Sequence, residues 1–256
     1  GLYTAYTGML NEQNRMDIMT NNLANASTVG YKKEGSTSQS FDDVLTVKIK
    51  DQSVGMRNAQ KIGIKNPGVK IGENYTDYSQ GSFRITGNTY DLALSGEGFF
   101  AIEFTNNAGE TDTKYTRAGQ FTLNKDGYLV TEEGDYVLDT QNRRIRLNTL
   151  IDSSITDDGT IYQNGQAMAK IQVTDFADYD YLEKYGETYY QPIQGAQTIA
   201  SNAQVKSGYL EMANVQIVSE MVNLISITRA YESNQKVVQT IDDTLDVAVN
   251  QIGRVQ

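Results

Sequence analysis

The chain has 256 residues, enough for one large domain or two small ones. Its formal charge is -10, from 22 basic and 32 acidic residues, and this argues against nucleic acid as a partner, because phosphate binding needs a basic surface. It contains no Cys, His or Trp, which excludes disulfides, thiolate metal sites, Cys nucleophiles and a Ser-His-Asp triad within the chain.

Residues 1 to about 25 read as a helix. Leu2, Ala5, Met9, Met16, Met19 and Leu23 fall on a 3-4 spacing, with Glu12 in one slot of the row. The segment has neither a basic n-region nor an apolar h-region, so it does not resemble a secretory signal peptide. Asn21, Asn22 and Asn25 fall at its end, where free carbonyls need donors, and their amides could also bridge to a neighbouring subunit. Gly30 then permits a positive φ. A cap and loop with no further role is the plainer reading of this cluster.

The middle of the chain, 36–212, is rich in Tyr, Thr, Gly, Asn and Asp and reads as an antiparallel β domain. Leu45, Val47 and Ile49 alternate with polar residues. Further strands are expected at 90–94, 99–104, 121–123, 128–131, 136–138 and 170–176, separated by turn signals such as Asn124-Lys125-Asp126-Gly127. Residues 51–70 are polar and weakly patterned, and read as a long loop or extension.

From Gln216 to Val255 a second helix is expected. Leu224, Ile227, Tyr231, Val238, Ile241, Leu245, Ala248 and Ile252 keep a 3-4 spacing for about four heptads, with Asn234 in the one polar slot. No Gly or Pro interrupts Gln216 to Ile252, which at about 1.5 Å per residue gives a helix of about 55 Å. Such a stripe either packs on other helices or lies on its own domain. Asn234 either fixes the register of that packing or sits at its solvent edge. The two terminal helices could cover each other, but neither stripe looks satisfied by one partner, so the termini read as segments that join subunits.

Three separated runs resemble one family. Asn21-Asn22-Leu23-Ala24-Asn25-Ala26-Ser27-Thr28-Val29-Gly30-Tyr31-Lys32, with Leu2-Tyr3-Thr4-Ala5 and Gly8-Met9 before it, is similar to the N-terminal signature of flagellar rod and hook proteins. Asp91 to Phe100 and Tyr115 to Phe121 resemble the opening of that family's β domain. Asn214-Val215, Glu220, Val222, Arg229-Ala230-Tyr231-Glu232, Asn234, Lys236 and Thr240-Ile241-Asp242 resemble its closing helix. The chain length and the Arg229-Ala230-Tyr231-Glu232 run sit nearer the distal than the proximal rod branch. Val29 and Tyr31 are tolerated variants of the signature, and Gln216 replaces an Asn common in the distal branch.

The resemblance implies an α+β, mainly β fold. A discontinuous helical assembly domain, 1–35 and 213–256, would flank the inserted β domain 36–212. It also implies a structural subunit with no catalytic, cofactor or metal site. Such a subunit polymerises through its ends into a hollow, torque-transmitting shaft. It meets copies of itself, adjacent rod and hook subunits and the flagellar export apparatus. It works outside the cytoplasm, in the periplasm or cell-wall zone, after export without a cleaved signal peptide. Two other classes compete with this reading: a secreted carbohydrate-binding β protein with a coiled-coil stalk, suggested by the 17 Tyr, and a hydrolase using paired carboxylates such as Asp157-Asp158. Of the four acidic pairs, Glu132-Glu133 and Asp157-Asp158 sit beside Gly in turn signals. Asp157-Asp158-Gly159 lacks the ligand spacing of a calcium loop, and Gly63 to Lys70 matches a phosphate loop only in part.

Overall fold

A computed structural model describes residues 2–41, 44–48, 60–65, 68–106 and 109–252, with side-chain surroundings assigned for 2–41, 68–106 and 109–250. By spatial contact the chain separates into a terminal unit, residues 1–23, 34–77 and 217–256, and a β unit, residues 24–33 and 78–216. The chain passes between them four times. The expected α+β class, helices at both ends and an antiparallel middle, is the fold observed.

In the terminal unit, helix α1 (Leu2–Ala24) is followed by strands β1 (Glu34–Ser40), β2 (Val44–Lys48), β3 (Gln60–Lys65) and β4 (Val69–Thr76), and helix α2 (Ile217–Ile252) closes the chain. Compositional boundaries at 35 and 212 group the first four strands with the β domain, whereas in space they cluster with the helices. One reason lies in the face of α1 itself. Its buried positions include Thr7, Asn11 and Asn22, which are polar. Polar strand residues can satisfy them: Ser38 Oγ of β1 donates to Asn11 Oδ1 at 3.1 Å, and Tyr3 packs near Phe41, ring centroids 6.3 Å apart. Strand β1 pairs antiparallel with β4, Glu34 opposite Thr76, and β2 pairs with β3. Strand β3 and the first residues of β4 therefore fall within the stretch 51–70, read as a long loop or extension. Ile49 and residues 51–59 lie outside the described residues.

The β unit begins with β5 (Phe83–Ile85), β6 (Leu92–Ser95), β7 (Phe99–Thr105) and β8 (Thr111–Thr116). Next come β9 (Phe121–Leu123), β10 (Leu129–Thr131), β11 (Tyr136–Val137), β12 (Ser153–Ile155), β13 (Thr160–Gln163), β14 (Gln166–Lys170) and β15 (Val173–Phe176). It ends with β16 (Leu182–Tyr185), β17 (Tyr189–Pro192), β18 (Thr198–Ala200), β19 (Gln204–Ser207) and β20 (Tyr209–Glu211). The main sheet runs β16-β17-β8-β7-β11-β10-β9, with β15 also on β7 and β18 on β15. Strands β12, β13 and β14 form a separate sheet, and β19 with β6 and β20 with β5 form two-stranded pairs. Gly96 and Glu97 form the bend between β6 and β7.

Strand β7 organises this unit because both of its faces are buried. Phe100 faces a cluster with Leu92, Leu94, Phe121, Leu129 and Ile161, and meets Phe121 edge-on, centroids 5.2 Å apart. Its neighbours Phe99 and Ala101 face a second cluster with Tyr115, Phe176 and Tyr190. Side chains alternate faces along a strand, so an uninterrupted apolar run such as Phe99-Phe100-Ala101-Ile102 fits only where both sides are covered.

A turn behind this core carries a pH-linked carboxylate. Asp139 Oδ1 accepts from the backbone N–H of Gln141 and Arg143 at 2.8 and 2.9 Å, and Oδ2 accepts from Arg143 Nε and Nη2 at 3.1 and 2.9 Å. Burial pushes its carboxyl up, but these bonds outweigh burial and hold it below the usual carboxylate value. A depressed folded value means that the stabilisation is complete above the unfolded value of about 3.9 and is lost as pH falls through the folded one. Asp139→Asn should lower stability at pH 7 by about 1 kcal/mol and flatten the loss of stability below pH about 4. Thermal melts from pH 7 to 2 test this; identical acid limbs in the two proteins would refute it.

Candidate assembly site

The two terminal helices pair within the terminal unit. A Cβ on Gly8 would lie 3.1 Å from Asn234 Nδ2, and Thr228 Oγ1 lies 3.9 Å from Met16 Sδ. As one number rises the other falls, so the helices run antiparallel. The stripe read from the sequence of α2 is the face turned inward: Ile227 is buried, and Leu224, Tyr231, Asn234, Val238, Ile241 and Ala248 are half-buried. Leu245, in the same row, is 54 % exposed. The side chain of Ile252 lies outside the described surroundings.

On α1, Ala5 is buried, Met9, Met16, Met19 and Leu23 are half-buried, and Leu2 is exposed. Asn234, the polar slot of the stripe, sits opposite the residue of α1 that has no side chain. Gly8 thus lets the helices approach at the point where an amide must be accommodated.

The helix pair leaves a second set of apolar residues uncovered, which the 3-4 row did not include. Val218, Met221, Val222 and Ile225 form an exposed ridge at the start of α2, with Val218 76 % exposed. Tyr3, Tyr6 and Leu10 extend the exposed Leu2 along α1, and Val247 and Val249 stand beside Leu245 near the end of α2. Their own i, i+3, i+4, i+7 spacing is visible in Val218 to Ile225, but a single-stripe reading assigns one apolar face per helix.

The residues of the signature settle into specific bonds. Asn22 Nδ2 donates to the Glu34 carbonyl at 2.8 Å, and Asn22 Oδ1 accepts from the Glu34 N–H at 2.9 Å, so one amide holds both backbone groups where β1 begins. Asn21 is half-buried at the end of α1. In the β unit, Asn25 Nδ2 donates to Glu187 Oε2 at 2.7 Å, and Asn25 Oδ1 accepts from Thr28 Oγ1 at 3.0 Å. Gly30 has φ of 70°, as expected, and a Cβ there would lie 2.3 Å from the Ala118 nitrogen. Conformation and space therefore both demand glycine. Arg229 and Glu232 are exposed.

Of the acidic motifs, Asp157-Asp158-Gly159 lies in the turn between β12 and β13. Hydrogen bonds from the Thr156 and Thr160 hydroxyls hold the exposed Asp158 carboxyl well below its ordinary value. Among the described residues, no helix is long and apolar enough to cross a membrane.

Packing at Gly8 can be tested directly. Gly8→Ala asks Asn234 to yield only a few tenths of an ångström and gains helix propensity, so it should be nearly neutral. Gly8→Leu should overpack the crossing and destabilise the helix pair by about 1–3 kcal/mol. Urea unfolding followed by helical circular dichroism measures both; a neutral Gly8→Leu would show that the helices do not meet there.

Comparison with known proteins agrees with this arrangement segment by segment. Residues 2–32 match the family described as "Flagella basal body rod protein". Residues 93–165 match "Flagellar hook protein FlgE/F/G D1 domain", and residues 206–252 match "Flagellar basal body rod FlgEFG protein C-terminal". The chain is 34 % identical to the flagellar basal-body rod protein FlgG of Bacillus subtilis, over 97 % of each chain. It is 32 % identical to FlgG of Agrobacterium fabrum, over 96 % of this chain and 97 % of that protein. It is 31 % identical to the flagellar basal-body rod protein FlgF of Caulobacter vibrioides, over 99 % of this chain and 98 % of that protein. Likeness of this extent, running through both terminal helices and the β region between them, makes this chain a member of the flagellar basal-body rod family.

Proposed function

We propose that this chain is a structural subunit of the flagellar rod that polymerises through its terminal segments, 1–35 and 213–256, into a hollow shaft transmitting torque, with the β region outside. The carrying observation is the helix pair with apolar ridges left open on both members, Leu2, Tyr6 and Leu10 on α1 and Val218, Met221, Val222 and Ile225 on α2. Surface of this kind in a water-soluble chain marks an association site. Contacts repeated head-to-tail between identical copies generate a helical filament when the rotation does not close.

The partners that follow are copies of the same chain, neighbouring rod and hook subunits, and the export apparatus. The setting is extracytoplasmic, and the role is mechanical, not enzymatic. Within the rod the distal position is the first reading, supported by the likeness to the FlgG proteins. The proximal position is the second, supported by a likeness to FlgF of similar extent. Immunogold placement along purified basal bodies separates the two.

Substitutions on the helix row test the polymer. Leu245 is exposed in the single chain, so Leu245→Asp should leave the melting of the β unit within about 2 °C of the parent while abolishing filaments. Ile241→Asp, at a half-buried position, should also block assembly and in addition loosen the helix pair. Electron microscopy of the full chain under assembly conditions provides the readout, and normal rods from both variants would end this reading.

A further inference from the structure

The segment that follows α1 and the segment that precedes α2 are joined in the β unit by a buried carboxylate. Glu211 is 0 % exposed, Lys32 1 % and Arg117 3 %. Lys32 Nζ donates to Glu211 Oε1 at 2.7 Å and to the Ser79 carbonyl at 2.7 Å. Arg117 Nη1 donates to Glu211 Oε2 at 3.2 Å, and the Gly81 N–H donates to Oε1 at 3.0 Å. The main chain follows the same pattern. The Gly30 N–H donates to the Glu211 carbonyl at 2.8 Å, and the Lys33 N–H donates to Asn214 Oδ1 at 2.7 Å. Asn214 Nδ2 in turn donates to Ser79 O and Oγ at 3.2 and 3.0 Å. Three stretches are thus stitched together: 30–33, 79–81 and 211–214. Each adjoins one of the points at which the chain passes between the two units.

The arrangement does not need Lys32 to keep Glu211 satisfied. Without it the carboxylate would still face the buried guanidinium of Arg117 and the N–H of Gly81. A buried ion pair contributes little net stability over apolar side chains of the same volume, but it admits few alternative geometries, because any slip leaves a charge unpaired. The ammonium of Lys32 adds a bridge: one side chain from the signature segment bonds residues of both other stretches.

We infer that Lys32 is a positioning residue for assembly, whose ammonium locks the signature segment, the stretch around Ser79 and the approach to α2 into one arrangement on the β unit. The inference rests on the polymerising-subunit reading above. The stretches that lead to β1, β4 and α2 then leave the β unit from fixed points, and a loose root would raise the entropic cost of joining a filament.

The test uses the full chain with Lys32→Met, which keeps the apolar stem and removes the ammonium, beside Glu211→Gln, which leaves two buried cations without a carboxylate. Lys32→Met should melt within about 3 °C of the parent, and Glu211→Gln should fall much further. In the Lys32→Met monomer the amides of Gly30 and Lys33 should exchange about tenfold faster or more, while those of β7 stay protected, and filaments should be lost. Unchanged exchange at Gly30 and Lys33 with normal filaments would overturn the inference. A melting loss equal to that of Glu211→Gln would also overturn it, since Lys32 would then simply hold up the fold. Failure of the parent chain to polymerise would count against the rod reading, while amide exchange would still decide the role of Lys32.

Discussion

A helix with apolar side chains on more than one face cannot be closed by a single shorter partner. Helix α2 has 36 residues and α1 has 23, so at about 1.5 Å per residue their lengths are about 54 and 35 Å. Even perfect pairing leaves about 20 Å of α2 without cover, and Leu245, Val247 and Val249 lie in that stretch, exposed. The ridge from Val218 to Ile225 adds open surface at the other end of the same helix. The apolar groups gain from leaving water, and within the described residues of one chain nothing covers them. The unfinished state of the terminal helices is thus a property of their lengths and faces.

The β unit shows the opposite condition. Strand β7 has a core on each side, and its apolar run leaves no face for water. Two of the tyrosines that a composition reading could offer to a sugar are instead held in the fold. Tyr190 is fully buried in the second cluster, and burial together with Asp135 pushes the Tyr189 hydroxyl far above its ordinary value despite a bond with Thr131. A hydroxyl that accepts or donates inside the protein is not available to a ligand. The unit is finished internally, and its special feature is the carboxylate of Glu211, where side-chain and main-chain bonds from distant stretches converge.

What the sequence revealed follows from how far each signal reaches. The inward row of α2 was legible because helical periodicity is local: Leu224, Ile227, Tyr231, Asn234, Val238 and Ile241 recur at 3-4 spacing and are all withdrawn from solvent. Strands 99–105 and 121–123 were legible for the same reason, as short apolar runs between turns. Strand β1, Glu-Gly-Ser-Thr-Ser-Gln-Ser, has no apolar alternation at all, and it is a strand because β4 pairs with it. Strand β8, Thr111–Thr116, reads as polar in sequence, yet Lys114 is buried there with its ammonium 4.5 Å from the Tyr185 ring centroid. Lys32 and Glu211 lie 179 residues apart, and nothing local in either segment announces the other.

The same distinction separates the two kinds of residue in the signature. Gly30 could be read from sequence as a positive-φ position, because that requirement belongs to one residue's backbone. Its second requirement, that no Cβ fit against Ala118, belongs to the folded β unit and appears only in space. Asn22 shows this too: an amide placed at a helix end by sequence turns out to hold both backbone groups of Glu34, twelve residues onward. A motif composed of such residues specifies where the chain goes after the helix more than it specifies the helix. That suits the assembly proposed above, in which helices that find part of their partners on other copies must be presented before they can be covered.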